Sequence, residues 1–273
     1  MKAPTISRLM LWFFRRIVHR YVRRHFHGVR LLGAERLTAA AADGGPLIIY
    51  ANHGSWWDPM VSFLLAERLM KAKRHYAPMD AKELERYRIL KYVGIFPVEM
   101  KTARGAIQFL RSGEEILRAR GVLWVTPQGR FVDARERPLE LKRGLAALAV
   151  RVAAREGGCT VQPLAIEYPF WDERLPECLL EFGDAVSVTA GEEEGPVQQR
   201  LVAGLEAAME NLKSRALLRD ATQFRSLEVG RAGTGGVYGF GQWLKAKISR
   251  RSHWTEPAAA VASALEKERN RGA

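Results

Sequence analysis

Hydrophobic and polar positions along the chain change period repeatedly, from that of a helix to that of a strand and back. Near the start, Ile6, Met10, Phe13, Ile17 and Tyr21 recur at spacings of three and four, the stripe of an amphipathic helix. Asp43, Gly44, Gly45 and Pro46 are turn residues, and Leu47, Ile48, Ile49, Tyr50 and Ala51 after them form an unbroken apolar run suited to a strand buried on both faces. The pattern then predicts a helix over 59–70, a strand over 74–77, a helix over 81–91 and a strand over 94–98. A longer helix is expected over 103–120, with Ile107, Leu110, Ile116 and Leu117 toward the core and Gly121 as its C-cap. Strands follow at 122–126, 161–168 and 179–182, with helices at 144–156 and 192–218. Strands alternating with helices imply an α/β fold, a mostly parallel central sheet covered by helices on both faces.

Composition sharpens this organisation. In 273 residues, 43 Lys and Arg face 30 Asp and Glu, for a net charge of +13. Residues 1–36 hold nine of the basic residues against Glu35 alone, and 243–273 hold seven against Glu256, Glu266 and Glu268, so the middle of the chain is nearly neutral. Three segments result: a basic amphipathic helix over 1–32, a catalytic domain over 33–218, and a Gly-rich, basic extension over 219–273, expected to be loosely attached. Six glycines lie within 230–241, but they neither match GxGxxG nor follow a strand, which excludes a dinucleotide loop. Apolar residues at 47% exclude a disordered chain. Two cysteines, Cys159 and Cys178, exclude a disulfide framework and point to a reducing compartment.

The first 32 residues interleave Arg with Leu9, Met10, Leu11, Trp12, Phe13 and Phe14, the pattern of a helix lying in the headgroup region of an anionic membrane. Two alternatives stand beside it: a helix that packs its apolar face on the domain, and a nucleic-acid arm, which has no need of six consecutive apolar residues. No apolar run approaches the roughly 18 residues that span a bilayer. The expected location is peripheral, on the cytoplasmic face of a membrane, with no nucleic acid as partner.

Candidate chemistry follows the first buried strand, at Asn52, His53, Gly54, Ser55, Trp56, Trp57 and Asp58. A strand running into a polar turn and then a helix places His53 at the carboxyl end of a parallel sheet, where α/β proteins bind ligands. Asp58, in the first turn of the helix, is within reach of His53. A carboxylate on one imidazole nitrogen fixes the tautomer and leaves the other nitrogen to take a proton from a hydroxyl. No GxSxG nucleophile elbow is present, so the attacking hydroxyl is expected to belong to the substrate. The plain alternative is that Asn52 and Asp58 cap a helix and His53 is a partly buried polar residue.

With these residues the chain resembles the glycerolipid acyltransferases typified by 1-acyl-glycerol-3-phosphate acyltransferase, over roughly 30–215. Asn52-His53 and Asp58 match the family's Asn-His-x4-Asp motif. Gly94-Ile95-Phe96-Pro97-Val98-Glu99 is similar to its second motif, with Glu99 where the family has Arg and Lys101 or Arg104 as substitutes by position. Thr126-Pro127-Gln128-Gly129-Arg130 resembles the third, with Gln128 in place of Glu. Lys142-Arg143-Gly144 is similar to Lys-x-Gly, and Val161 to Ile166 to the fourth, a Val-Pro-x-x-Ile strand.

The resemblance implies transfer of a fatty acyl chain from an acyl thioester, carried by acyl-CoA or acyl carrier protein, to a hydroxyl of a lyso-lipid such as lysophosphatidic acid. His53 would be the general base and Asp58 its orienting partner, with backbone N–H groups around Gly129 facing the oxyanion. Asn52, Gly94, Arg104, Pro127, Gln128, Gly129, Arg130 and Lys142 would bind substrate, with no metal and no cofactor beyond the thioester. Glu99 would repel a phosphate. That leaves a second acceptor class open, a lipid alcohol without phosphate such as a glycosylated or isoprenoid lipid. A non-catalytic membrane-surface or nucleic-acid-binding protein is the reading from another class.

Overall fold

A computed structural model of the chain describes residues 4–231; the part of the expected C-terminal extension beyond 231 lies outside the described residues. The elements run α1 (Arg8–His25), β1 (Gly28–Leu32), α2 (Ala34–Ala42), β2 (Leu47–Ala51), α3 (Asp58–Leu69), β3 (His75–Asp80), α4 (Ala81–Arg86), β4 (Ile95–Val98), α5 (Ala103–Arg118), β5 (Val122–Val125), α6 (Gly144–Glu156), β6 (Cys159–Glu167), β7 (Glu177–Phe182), β8 (Val186–Val188), α7 (Glu194–Leu217) and β9 (Arg225–Val229). All nine strands join one sheet in the order β4-β3-β5-β2-β6-β7-β1-β9, with β8 paired to β6. The pairs from β4 across to β6 are parallel, as is β7 with β1; β6–β7, β1–β9 and β6–β8 are antiparallel. This is the mostly parallel α/β sheet that the alternating pattern predicts.

Residues of β2 are buried throughout. Ile48 and Tyr50 point into a core shared with α5, α6 and α7, through residues such as Ile116, Leu148 and Leu205. Leu47, Ile49 and Ala51 point into a second core with α1, α2 and α3, through Val18, Leu37 and Leu64. A strand with period-two side chains and helices on both faces has no polar face, hence the continuous apolar run.

The ends of the sheet depart from expectation. Gly28–Leu32, inside the span read as basic helix, is strand β1, parallel to β7; Arg225–Val229, inside the span read as extension, is β9. These strands are short, and Arg30 in β1 and Glu228 in β9 interrupt their apolar pattern, as Glu177 does at the start of β7, so periodicity passes over them. The two acids are buried with partners: Glu177 accepts from Arg30 Nε at 2.9 Å and bonds His27 at 2.6 Å.

The helix expected over 81–91 stops at Arg86 and continues after Tyr87 as a 3-10 turn, Arg88–Val93. Only Leu84 on α4 is buried, so no apolar face carries it further. In α5, Ile107 is exposed rather than facing the core. The buried positions include Gly105, Ser112 and Gly113. A Cβ on Gly113 would stand 2.6 Å from Leu148 of α6, and one on Gly105 would collide with the Glu99 backbone, two close approaches that a count of apolar side chains overlooks.

Helix α1 buries Val18 and Val22 and leaves Leu9, Trp12, Phe13 and Tyr21 exposed. The buried stripe therefore runs through Val18 and Val22, rotated from the one that the spacing suggests. Charge fixes it to the body. His19 bridges Glu67 of α3 at 2.8 Å and Glu228 of β9 at 3.1 Å. Arg15 pairs with Glu67 at 2.7 Å, and Arg23 and Arg68 both bond Glu228. Burial pushes the Glu228 carboxyl up, but the hydrogen bonds from Arg68 and Arg23 outweigh it and hold the group below the usual carboxylate range. Among the described residues no helix is long and apolar enough to cross a membrane.

Gly94 ends the 3-10 turn with φ 97°, and a Cβ there would collide with the backbone oxygen of His75. Neither the dihedral nor a carbonyl inside a parallel ladder can yield cheaply. Gly94→Ala is expected to lower unfolding free energy by about 3 kcal/mol, checked by urea denaturation; a loss within experimental error would contradict this placement.

Candidate active site

The turn from β2 into α3 gathers the expected residues at the carboxyl edge of the sheet. His53 Nδ1 lies 2.7 Å from Asp58 Oδ2. Asp58 is 1% exposed, and an acceptor-only carboxylate so buried must be surrounded by donors. Three are present: the His53 Nδ1–H and the Ser55 backbone N–H, at 3.1 Å, both on Oδ2, and the Tyr168 hydroxyl on Oδ1 at 2.7 Å. Because Asp58 can only accept, the proton of His53 sits on Nδ1 and the lone pair on Nε2. Among the described residues Nε2 has no hydrogen-bond partner, and the side chain is 19% exposed. The arrangement can abstract a proton from a hydroxyl brought to Nε2.

The backbone of His53 is pinned from the β5 side. Gln128 Oε1 accepts from His53 N–H at 2.7 Å, and the His53 carbonyl accepts from Val132 N–H at 2.8 Å. The Phe131 ring stands against the imidazole, centroid to centroid 4.5 Å. Asn52 does not face the open site as expected. Its amide donates to Ile166 O at 3.0 Å and accepts from Ile166 N at 2.8 Å, both bonds of a strand pair supplied by one side chain, and these tie the end of β2 to β6. Trp57 packs edge-on against Phe26 at 4.9 Å and is part of the core, while Trp56 is 60% exposed beside the site.

The β5 turn brings in three more expected residues. Pro127 O accepts from Lys142 N at 2.9 Å, and Gly129 takes φ 63° with its N–H donated to Thr126 O at 3.1 Å. That amide closes the turn, so of the N–H groups around Gly129 its own is engaged. A Cβ on Gly129 would run into the Lys142 ammonium, so the left-handed glycine makes room for that side chain beside the turn. Lys142 makes no ion pair among the described residues.

The remaining expected residues lie apart. Arg130 is exposed and pairs with Glu136 at 2.7 Å. Arg104 is 85% exposed and reaches Glu99 at 3.7 Å. With Ile107, Gln108 and Arg111 these two line a shallow groove on α5 at the carboxyl end of β4, three strands and about 14 Å from β2. Gly94 sits at the opposite, amino end of β4 and serves the turn described above.

Tyr168 and Phe131 were not expected. Tyr168 follows β6, and only the strand order, which places β6 beside β2, brings it to Asp58. Burial, then the neighbouring Cys178 and Asp58, raise its hydroxyl well above the ordinary tyrosine value, so it remains a donor. Among the described residues no three His, Cys, Asp or Glu side chains converge as metal ligands would.

The acyltransferase family model matches residues 28–167, slightly more than half of the chain. The chain belongs to the acyltransferase family. Membership carries acyl transfer, with lipids as the general substrate class. In this acyltransferase the matched span opens at β1 and closes one residue before Tyr168, so it contains both His53 and Asp58. No curated protein matches the chain.

Asp58→Asn keeps the shape of the side chain, but its amide accepts on one side only and carries no negative charge to support an imidazolium. An amide can also turn its NH2 toward Nδ1 and favour the opposite tautomer. The expected loss in kcat/KM is about a thousandfold to ten-thousandfold, by analogy with the same exchange in a Ser-His-Asp triad. Steady-state thioester assays check it, and a loss under tenfold would remove Asp58 from the chemistry.

Proposed function

We propose that this acyltransferase moves a fatty acyl chain from a thioester, acyl-CoA or acyl carrier protein, to a hydroxyl of a lyso-lipid at a membrane surface. The observation that carries the reading is the imidazole of His53, with Nδ1 on the buried Asp58 and Nε2 unpartnered at the carboxyl edge of the sheet. His53 takes the proton of the acceptor hydroxyl as its oxygen attacks the thioester carbonyl. Asp58 supports the imidazolium, and the proton then passes to the departing thiolate. Attack builds negative charge on the carbonyl oxygen, and the Lys142 ammonium beside the Gly129 turn, which makes no ion pair among the described residues, is the cation we assign to it. No acyl-enzyme is needed, and no metal enters the scheme.

Two acceptor classes remain, lysophosphatidic acid or a related lyso-lipid and a lipid alcohol without a phosphate. Glu99 favours the second. It stands at the end of β4 where the family has Arg, and Arg130, the expected phosphate ligand, is neutralised by Glu136. At these positions a phosphate dianion would meet the Glu99 carboxylate and two cations already paired, Arg104 and Arg130.

Membrane association, peripheral and from the cytoplasmic face, belongs to the same proposal. The exposed side of α1 carries Leu9, Trp12 and Phe13 toward one end and Arg16, Arg20 and Arg24 toward the other, which suits the headgroup layer of an anionic bilayer. Deleting α1 would strip Val18 and Val22 from the core, so surface substitutions are the cleaner probe.

His53→Ala should abolish acyl transfer from palmitoyl-CoA across a panel of lyso-lipids and lipid alcohols while leaving liposome binding unchanged. A wild-type protein that acylates nothing on the panel would sink the enzymatic reading. Replacing Leu9, Trp12 and Phe13 together by Ala should weaken partition to phosphatidylglycerol liposomes by roughly a hundredfold, at ~1 kcal/mol for each side chain. Undiminished binding in a flotation assay would assign that face to another role.

A further inference from the structure

We infer that Tyr168 is a positioning residue for the reaction, holding the Asp58 carboxylate so that its other oxygen faces His53. This rests on the proposed role of His53 as base. The two oxygens of Asp58 are unequally served. Oδ2 accepts from His53 and from the Ser55 backbone, whereas Oδ1 has the Tyr168 hydroxyl as its only hydrogen-bond partner among the described residues. A carboxylate turns about its Cβ–Cγ bond unless both oxygens are held, and in a site this buried water cannot easily replace a missing donor. Tyr168 supplies the hold from the neighbouring strand. Its ring is braced by Phe26 at 5.6 Å, and Phe26 lies edge-on against Trp57, the residue before Asp58. The hydroxyl therefore approaches Asp58 from a wall of packed rings and not from a mobile loop.

The hydroxyl also sets how much negative charge the carboxylate presents to the imidazole. A donor on Oδ1 draws charge away from Oδ2, and removing it leaves more charge facing His53. Two changes at position 168 should then act in opposite directions. Tyr168→Phe, which removes the donor, raises the midpoint of the His53 ring titration followed by NMR by about half a pH unit. 3-Fluorotyrosine at 168, a more acidic phenol and a stronger donor, lowers it. With palmitoyl-CoA as donor and the acceptor found in the panel above, Tyr168→Phe lowers kcat about tenfold and leaves KM within about twofold, since one oriented hydrogen bond is lost and no substrate contact is. In the Asp58→Asn background the same change has little further effect on kcat.

A midpoint unmoved by both changes overturns the inference, as does a fall in kcat of equal size with and without Asp58. Should Tyr168→Phe fail to fold, the fluorinated residue alone decides through the sign of its shift. Opposite shifts in a protein that transfers no acyl group would keep Tyr168 as the holder of Asp58 and overturn the reaction proposed for the pair.

Discussion

A carboxylate almost wholly removed from water is stable only where donors surround it, and the placement of the three donors around Asp58 fixes the geometry of the site. The donors come from different parts of the chain: His53 and Ser55 from the turn before α3, Tyr168 from beyond β6. They meet because β6 pairs with β2, and that pairing is continued past the end of β2 by the Asn52 side chain on Ile166. Gln128 and Val132 then hold the His53 backbone from the other flank. Three neighbouring strands thus converge on one imidazole and one carboxylate, and the sheet order is what makes the pair possible.

The parts of this arrangement within a few residues of one another were legible beforehand. The buried run 47–51, the turn after it and Asp58 at the start of a helix follow from local pattern, and α6 occupies the span expected for it, Gly144–Glu156. What stayed hidden depends on contacts between distant segments. Tyr168 carries no signal until β6 is known to lie beside β2. Gly94 looks like part of a substrate motif and proves to be the close of a 3-10 turn against β3, because a positive φ does not show in a residue name. The close approach of α6 at Gly113 escapes a search for apolar stripes, since packing against Leu148 there needs the absence of a side chain. Strand β1 carries Arg30, satisfied by Glu177 across the sheet, and β9 carries Glu228, satisfied from α1 and α3, and such pairing leaves no periodic trace.

The distribution of charge takes on a more specific meaning with the fold in view. Net charge alone suggests any polyanion as partner, yet several of the arginines are engaged within the protein. Arg15, Arg23, Arg30, Arg36 and Arg68 bond buried or half-buried glutamates. Arg130 and Arg137 pair with Glu136 and Glu210. Within the described residues Arg16, Arg20 and Arg24 of α1 face outward, and Arg16 lies over Trp12 at 5.2 Å. Charge is therefore divided between fastening α1 to the sheet and presenting a mixed apolar and basic face.

The fastening of α1 has an evolutionary corollary. Glu228 is shared by His19, Arg23 and Arg68, and Glu67 by Arg15 and His19, so each acid answers to more than one partner. Loss of any one base leaves the others in place, but loss of Glu228 strands three bases, on α1 and α3, and loss of Glu67 strands two on α1. The basic positions can drift one by one, whereas the two glutamates are open to change only together with most of their surroundings. Divergence in this helix should therefore be tolerant of its arginines and intolerant of acids that lie far from it in the chain.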